Sequence, residues 1–314
     1  MGIEIPSYER AAAQFSELTH VSLSKSTLHR WVNDLGGRLV AVQAAEAVAM
    51  VQVPKQEEVI WRQVPEPDSD CMNVSMDGVL VRLRGEGWKE VKVATFSAVT
   101  HDLKDETGEW SMRLRQHSYR AGLWEVDEFA AQQWAEAMRR GVEKATYLSS
   151  VNDGAAWIWN LTRRCYGRCV EILDWWHAVE RLWTLAHSRF GADSPQAAAW
   201  VAEQKELLLH SRLRTVLHNI RLLYPRHQPL PDPVRKAVGY FLHNRWRMRY
   251  QQFRQAGYPI GSGTVESACK LVAQARLKQA GMAWSRRGAQ AVLALRACLL
   301  SHRWHDAVAL LYTN

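Results

Sequence analysis

Residues 73–83, NVSMDGVLVRL, alternate polar and apolar side chains with a period of two and carry β-branched residues, which is the pattern of a half-buried strand. Two similar stretches follow, WKEVKVATFSAV (88–99) and SMRLRQHSYRAG (111–122). The turn-forming GEG (85–87) and HDLKDETGE (101–109) separate the three, which predicts an antiparallel meander. Next comes an amphipathic helix, VDEFAAQQWAEAMRRGVEKA (126–145), with Phe129, Trp134, Ala137 and Met138 on its buried side. A fourth strand, TYLSSVNDG (146–154), a helix, AAWIWNLTRRCYG (155–167), and a fifth strand, CVEILDWW (169–176), complete the series. The order βββ-α-β-α-β predicts an α/β fold in which a mixed sheet is covered by helices.

On the N-terminal side, YERAAAQFSEL (8–18) places Ala12, Phe15 and Leu18 at helical spacing. A polar break then leads into TLHRWVNDLGGRLV, which Ser24 or Ser26 can cap. Leu28, Trp31, Val32 and Leu35 form the expected apolar face of this second helix, and Gly36-Gly37 weakens it or ends its first part. Residues 1–53 thus read as a helix-turn-helix with Lys25, Thr27, His29 and Arg30 at the exposed start of the second helix, where DNA would be contacted; a helical hairpin that only packs fits the same spacing. Residues 54–70, acidic and rich in proline, read as a linker. Beyond the first part of the core (71–177), residues 178–258 are helical by period, interrupted by SPQ (194–196) and YPRHQPLPDP (224–233). The core resumes at 259–314 with helices in GSGTVESACKLVAQARLKQ (261–279) and RRGAQAVLALRACLLSHRW (286–304).

The 314 residues, 47% hydrophobic, contain no apolar run long enough to span a bilayer, and MGIEIPSYER lacks the features of a signal peptide. Five scattered cysteines fit a reducing compartment, so the expected location is cytoplasmic and, for a DNA-binding chain, nucleoid-associated. The net charge of +8 is unevenly divided: residues 1–153 hold 17 Lys and Arg against 23 Asp and Glu, residues 154–314 hold 23 against 9. A basic half of this kind suits a polyanionic partner. Its densest groups are Arg245, Arg247, Arg249 and Arg254 in HNRWRMRYQQFR (243–254), and Arg276, Lys278, Arg286 and Arg287 around AGMAW. These are the expected contacts to a DNA backbone, with Trp284 as a residue that could stack on a base; packing is the commoner fate of a Trp among the 15 present.

Asp77 lies in the first strand and Asp153 ends the fourth, each followed by glycine. Carboxylates at such positions are costly unless a cation neutralises them, and two of them suggest a shared divalent ion such as Mg²⁺. Glu266, behind a Gly-Ser-Gly approach and early in a helix, is the leading third ligand. Singly, Asp-Gly is also a turn signal and an early helical Glu a favourable first-turn charge. Cys165, Cys169 and His177 lack an evident fourth partner for zinc and read as buried thiols beside a histidine.

In VSMDG, SVNDGAAWIW, ILDWWHAVERLW and YPIGSGTVESACKLVAQARLKQAGMAW, the chain resembles DDE transposases with an RNase H-like catalytic core, and among them the transposases of bacterial insertion sequences of the Kra group. The resemblance runs from about Leu18 to Trp304, and its most specific part is the phrase Gly-Ser-Gly-x-x-Glu-x-x-Cys-Lys. It implies that Asp77, Asp153 and Glu266 hold two Mg²⁺ or Mn²⁺ ions for phosphoryl transfer, and that 178–258 is an all-α insertion. Asp174 and His177 match an Asp-x-x-His motif of related transposases, which implies that His177 touches the scissile phosphate or orients a ligand; a purely structural pair is the alternative. The partners implied are double-stranded DNA and further copies of the chain, since two element ends must be joined. Members of the family carry a longer region ahead of the helix-turn-helix, so a truncated or domesticated transposase that binds DNA without mobilising it is the alternative function. A junction resolvase would add a fourth acid near Glu266, and 267–305 contains none.

Overall fold

The structure, a computed structural model, describes residues 1–52, 64–103, 110–192, 194–224 and 229–312. Two helices, α1 (Tyr8–Thr19) and α2 (Lys25–Gln52), precede the strands β1 (Cys71–Leu83), β2 (Gly87–Leu103) and β3 (Trp110–Gly122). Then come α3 (Val126–Arg139), β4 (Tyr147–Asn152), α4 (Ala156–Cys165) and β5 (Val170–Leu173). The five strands form one sheet in the order β3-β2-β1-β4-β5, with β2 antiparallel to both neighbours and β1, β4 and β5 parallel. This is the mixed α/β sheet expected from the order of elements, and it is compatible with an RNase H-like fold.

Alternation along β1 sends its two sets of side chains to opposite faces. Met72, Val74 and Met76 join Phe96 of β2 and Phe129, Trp134, Ile158 and Leu161 of α3 and α4 in one core. On the other face, Val79, Val81 and Leu83 pack with Val32 and Leu39 of α2 and with the C-terminal helices. These are α10, built of three consecutive pieces (Gly263–Ala268, a π-helical Cys269–Gln274 and Ala275–Leu277), α11 (Arg286–Leu300) and α12 (Trp304–Ala309). The intervening helices α5 (Trp175–Phe190), α6 (Pro195–Leu209), α7 (Leu213–Leu222), α8 (Asp232–His243) and α9 (Tyr250–Gln255) form a third core. That core reaches Val151, Ile172 and Leu173 at the β4–β5 side of the sheet.

Several expectations need correction. Gly36-Gly37 does not interrupt α2, because α2 crosses α11 so closely there that a Cβ at Gly36 would stand 2.6 Å from that of Ala291. Leu18 of α1 is exposed, and so is Trp31, since the buried stripe of α2 runs instead through Val32, Leu39, Gln43 and Ala47. The N-terminal helices contribute to the core on one face of the sheet, and Arg120 of β3 donates to the Gln43 carbonyl. Helix α3 stops at Arg139, followed by Gly141 with φ +64° and a 3₁₀ turn. Strand β5 ends at Leu173 because Asp174 caps α5, and α11 ends at Leu300, before His302 at φ +58°. Of the expected linker only 64–70 is described, and parts of the loops at 101–109 and 224–233 also lie outside the described residues.

Candidate metal centre

Parallel pairing of β1 and β4 matches Cys71, Met72 and Asn73 with Tyr147, Leu148 and Ser149, an offset of 76 positions. Beyond Asn73 the regular ladder stops, and the Asn152 side chain takes its place by accepting from the Met76 amide at 2.6 Å, across the same offset. The offset carried one residue further sets Asp77 level with Asp153. Residues level with each other on neighbouring strands point to the same side of the pleat, so both aspartates fall on the same sheet face, the one shared with α10. The buried polar residues leading to them, Asn73, Ser75 and Ser149, satisfy one another at 2.9–3.0 Å.

Asp77 accepts from the Gly78 amide at 2.6 Å through Oδ1, and Cys269 Sγ of α10 lies 3.5 Å from its Oδ2. Burial raises its pKa above the usual carboxylate range and the charge of Asp153 adds to this, while His177 acts in the opposite direction. Asp153 Oδ1 accepts from the Ala155 amide at 2.9 Å, and its carbonyl accepts from the Tyr240 hydroxyl at 2.7 Å. Gly154 takes φ +102°, a conformation suited to glycine, in the turn that sends the chain from β4 into α4.

Glu266 is brought to this corner by an arrangement centred on Asp174, which is wholly buried. Asp174 Oδ1 caps α5 by accepting from the Trp176 and His177 amides at 2.7 and 3.0 Å. Its Oδ2 accepts from the amide and hydroxyl of Ser262 at 2.7 and 2.8 Å, and the Ser262 hydroxyl lies 3.4 Å from Glu266 Oε1. Two backbone bonds of 2.8 Å, from the Asp174 amide to the Asn152 carbonyl and from the Trp175 amide to the Ile260 carbonyl, tie the same point to β4 and to the Gly-Ser-Gly approach. Burial opposes ionisation of Asp174, yet the bonds from His177 and Ser262 hold its pKa below the usual value.

His177 Nδ1 stands 3.3 Å from Asp174 Oδ1, near enough for charge attraction though not aligned as a hydrogen bond. The Asp174 carboxylate raises the His177 pKa to about 9 against the effect of burial, with Glu180 and Asp153 adding their charges. Asp174, His177 and Glu266 offer ligand atoms that all lie within 4.8 Å of one another, a cluster that could hold a metal ion. Both oxygens of Asp174 are already engaged by backbone and hydroxyl donors, so in this cluster it serves better to position than to coordinate. Asp77 and Asp153 lie outside that 4.8 Å cluster, though the charges of Asp153 and His177 reach Asp77 and those of Asp77 and Glu266 reach Cys269; Asp77, Asp153 and Glu266 form no salt bridge with Lys or Arg among the described residues, so their hard oxygen donors are the kind a divalent cation takes.

The expected DNA contacts separate into exposed and buried groups. Lys25, His29 and Arg30 are exposed at the start of α2, which Ser24 caps, and Thr27 is half-buried. Lys278 and Arg287 are exposed, and Arg286 is exposed but paired with Glu86 at 2.6 Å. Arg245 and Arg249 flank the exposed ring of Trp246. By contrast, Arg247 is enclosed between Glu171, at 2.6 Å, and the ring of Trp159. Arg276 is 1% exposed, lies between the rings of Tyr8 and Trp284, and donates to the Gly2 carbonyl. Trp284 is buried with it, so these three pack the interior and present nothing to a phosphate or base. Cys165 is buried in the core with α3 and α4, and the zinc cluster does not form among the described residues.

Sequence reasoning passed over Asn152, Ser262, Cys269 and Tyr240, which position the acids. Only Cys269 had a signal of its own, within the phrase around Glu266; Ser262 was read for its flanking glycines. No family model matches this chain, and no curated protein matches it.

Proposed function

We propose that this chain is a DNA transposase of an insertion sequence, a DDE-type enzyme whose sheet is an RNase H-like core and which cleaves and joins DNA strands at the ends of its element. The observation that carries this reading is the meeting of Asp77, from the centre of the sheet, with Asp153 and the Glu266–His177–Asp174 group. Asp77 and Glu266 are 189 positions apart in the chain, and the buried side chains of Asn152 and Ser262 bond to the segments that carry these groups. A pure binding surface gains nothing from gathering unpaired carboxylates, whose mutual repulsion costs stability.

In this reading Asp77, Asp153 and Glu266 hold two Mg²⁺ or Mn²⁺ ions. Bound there, the metal supplies an activated oxygen nucleophile and neutralises charge on the leaving oxygen. The chain's own groups do the rest. Asp174 keeps His177 protonated at neutral pH, so that Nε2, the ring nitrogen turned away from Asp174, donates a charged hydrogen bond to an oxygen of the scissile phosphate. Ser262 and Cys269 hold the carboxylates of Glu266 and Asp77 in place before substrate arrives. Lys25, His29, Arg30, Arg245, Arg249, Lys278 and Arg287 provide exposed positive or polar contacts to duplex DNA, and joining of two ends calls for more than one copy of the chain.

The test is incubation of the purified protein with labelled duplex carrying the ends of its source element, with Mg²⁺ or Mn²⁺, beside Asp153→Ala. Metal-dependent nicking at the element boundary, lost in the variant, is the expected result. Binding without cleavage by either protein would replace the enzyme with a DNA-binding descendant of one, and neither binding nor cleavage would refute the functional reading.

A further inference from the structure

On α5, His177, Arg181 and Thr184 follow one another at i, i+4 and i+7, so they form a single stripe that begins in the metal centre and leads away from it. On α8, which packs against α5, Lys236 and Tyr240 form a matching pair at i, i+4. Between the stripes lies a cleft of about 410 Å³ lined by Arg181, Thr184, Asp232, Pro233, Lys236 and Tyr240. Arg181 and Lys236 make no salt bridge among the described residues, whereas Asp232 is paired with Arg235 at 2.7 Å. The cleft therefore presents two cations outside any salt bridge, beside apolar walls and a carboxylate that Arg235 already engages. It is joined to the acids through Tyr240, whose ring lies 5.0 Å from the Arg181 guanidinium and whose hydroxyl donates to the Asp153 carbonyl.

We infer that this cleft binds backbone phosphates of the DNA strand running out of the metal centre, with Arg181 and Lys236 as the charged contacts and Tyr240 as the link to Asp153. The inference rests on the DNA-cleaving function proposed above and adds a place and a direction for the substrate. The four residues from His177 to Arg181 rise about 6 Å along α5. One nucleotide advances about 3.4 Å along a duplex strand, so Arg181 falls one to two nucleotides from the phosphate that His177 would touch. The apolar walls suit the sugars between phosphates, and two cations on facing helices suit a strand passing between them better than a single bound ion. Arg181 is followed by Leu-Trp-Thr, and Lys236, next to Arg235, by Ala-Val-Gly; the two lie 55 positions apart, so their convergence is a product of the packing of α5 on α8.

The test compares three proteins by fluorescence anisotropy on a short labelled duplex over a salt series: the wild type, Arg181→Ala/Lys236→Ala, and Arg113→Ala/Arg115→Ala. The last pair removes the same charge from exposed positions on β3, at the opposite edge of the sheet. Each lost phosphate contact lowers the slope of log K against log salt by about 0.9, so the cleft variant should lose up to about 1.8 while the β3 variant keeps the wild-type slope. Mn²⁺ binding, followed by electron paramagnetic resonance, should be the same in the cleft variant as in the wild type, because the carboxylates are untouched. A cleft variant with the wild-type slope, or a β3 variant that loses as much, would overturn the inference while leaving the enzyme reading in place. A wild-type protein with no salt-dependent binding to duplex would overturn both.

Discussion

Asp174→Asn retains the shape of the side chain and removes one charge, and the structure permits its cost to be worked out. The carboxylate accepts four hydrogen bonds of 2.7–3.0 Å, two at each oxygen. An amide has one oxygen and one NH₂, so two of these donors must now face a donor. The cheaper orientation points the NH₂ at Ser262, whose hydroxyl can reverse and accept; the Ser262 amide is then left unpaired in a buried site. An unsatisfied buried donor costs about 1–3 kcal/mol, and the remaining bonds lose their charged acceptor, so a total destabilisation of about 3 kcal/mol is expected. The imidazole of His177 loses the carboxylate that raises its pKa to about 9, so that pKa should fall toward the ordinary value of about 6.5. Urea unfolding measures the first effect and NMR titration of the metal-free protein the second. A variant within about 0.5 kcal/mol of the wild type, with His177 still titrating near 9, would refute the view that Asp174 organises this corner.

Two adjacent glycines offer a matched comparison. Gly36→Ala should destabilise by about 1–3 kcal/mol, because the added methyl meets Ala291 of α11 at 2.6 Å, whereas Gly37→Ala meets nothing within 4 Å and should stabilise by up to about 1 kcal/mol through helix propensity; thermal unfolding of both variants gives the two signs. His117 of β3 has its pKa lowered, first by burial and then by the charge of Arg140. A base with a depressed folded-state pKa contributes stability that is whole above its unfolded value of about 6.5 and is lost as pH falls from there through the folded value. Urea unfolding of wild type and His117→Gln across this range should show a smaller acid loss in the variant, and parallel curves would refute the assignment.

The strands and their order were legible in the sequence, and Asp77 and Asp153 stood out as candidates, because each depends on a local signal. Alternation over about a dozen residues marks β1, and a carboxylate before glycine at the end of a strand is conspicuous. The register that sets Asp77 level with Asp153, and so on one face, was not legible, since a register is a relation between two strands. Nor was the work of Ser262, whose partner Asp174 lies 88 positions earlier in the chain.

The amino-acid sequence by itself determined the α/β class, the positions of the strands and the identity of the candidate acids, because periodicity and turn chemistry act over a few neighbouring residues. Only the tertiary structure decided which basic residues remain available. Arg276 and Arg247 look like Lys278 and Arg249 in a one-dimensional reading, yet the first pair is spent inside, against Gly2 and the Tyr8–Trp284 rings and against Glu171 and Trp159. Arg181 and Lys236, far apart in the chain, come to face a common cleft. The physical reason is that the cost of burying a guanidinium is met by partners brought from elsewhere in the chain, and those partners exist only once the helices have packed.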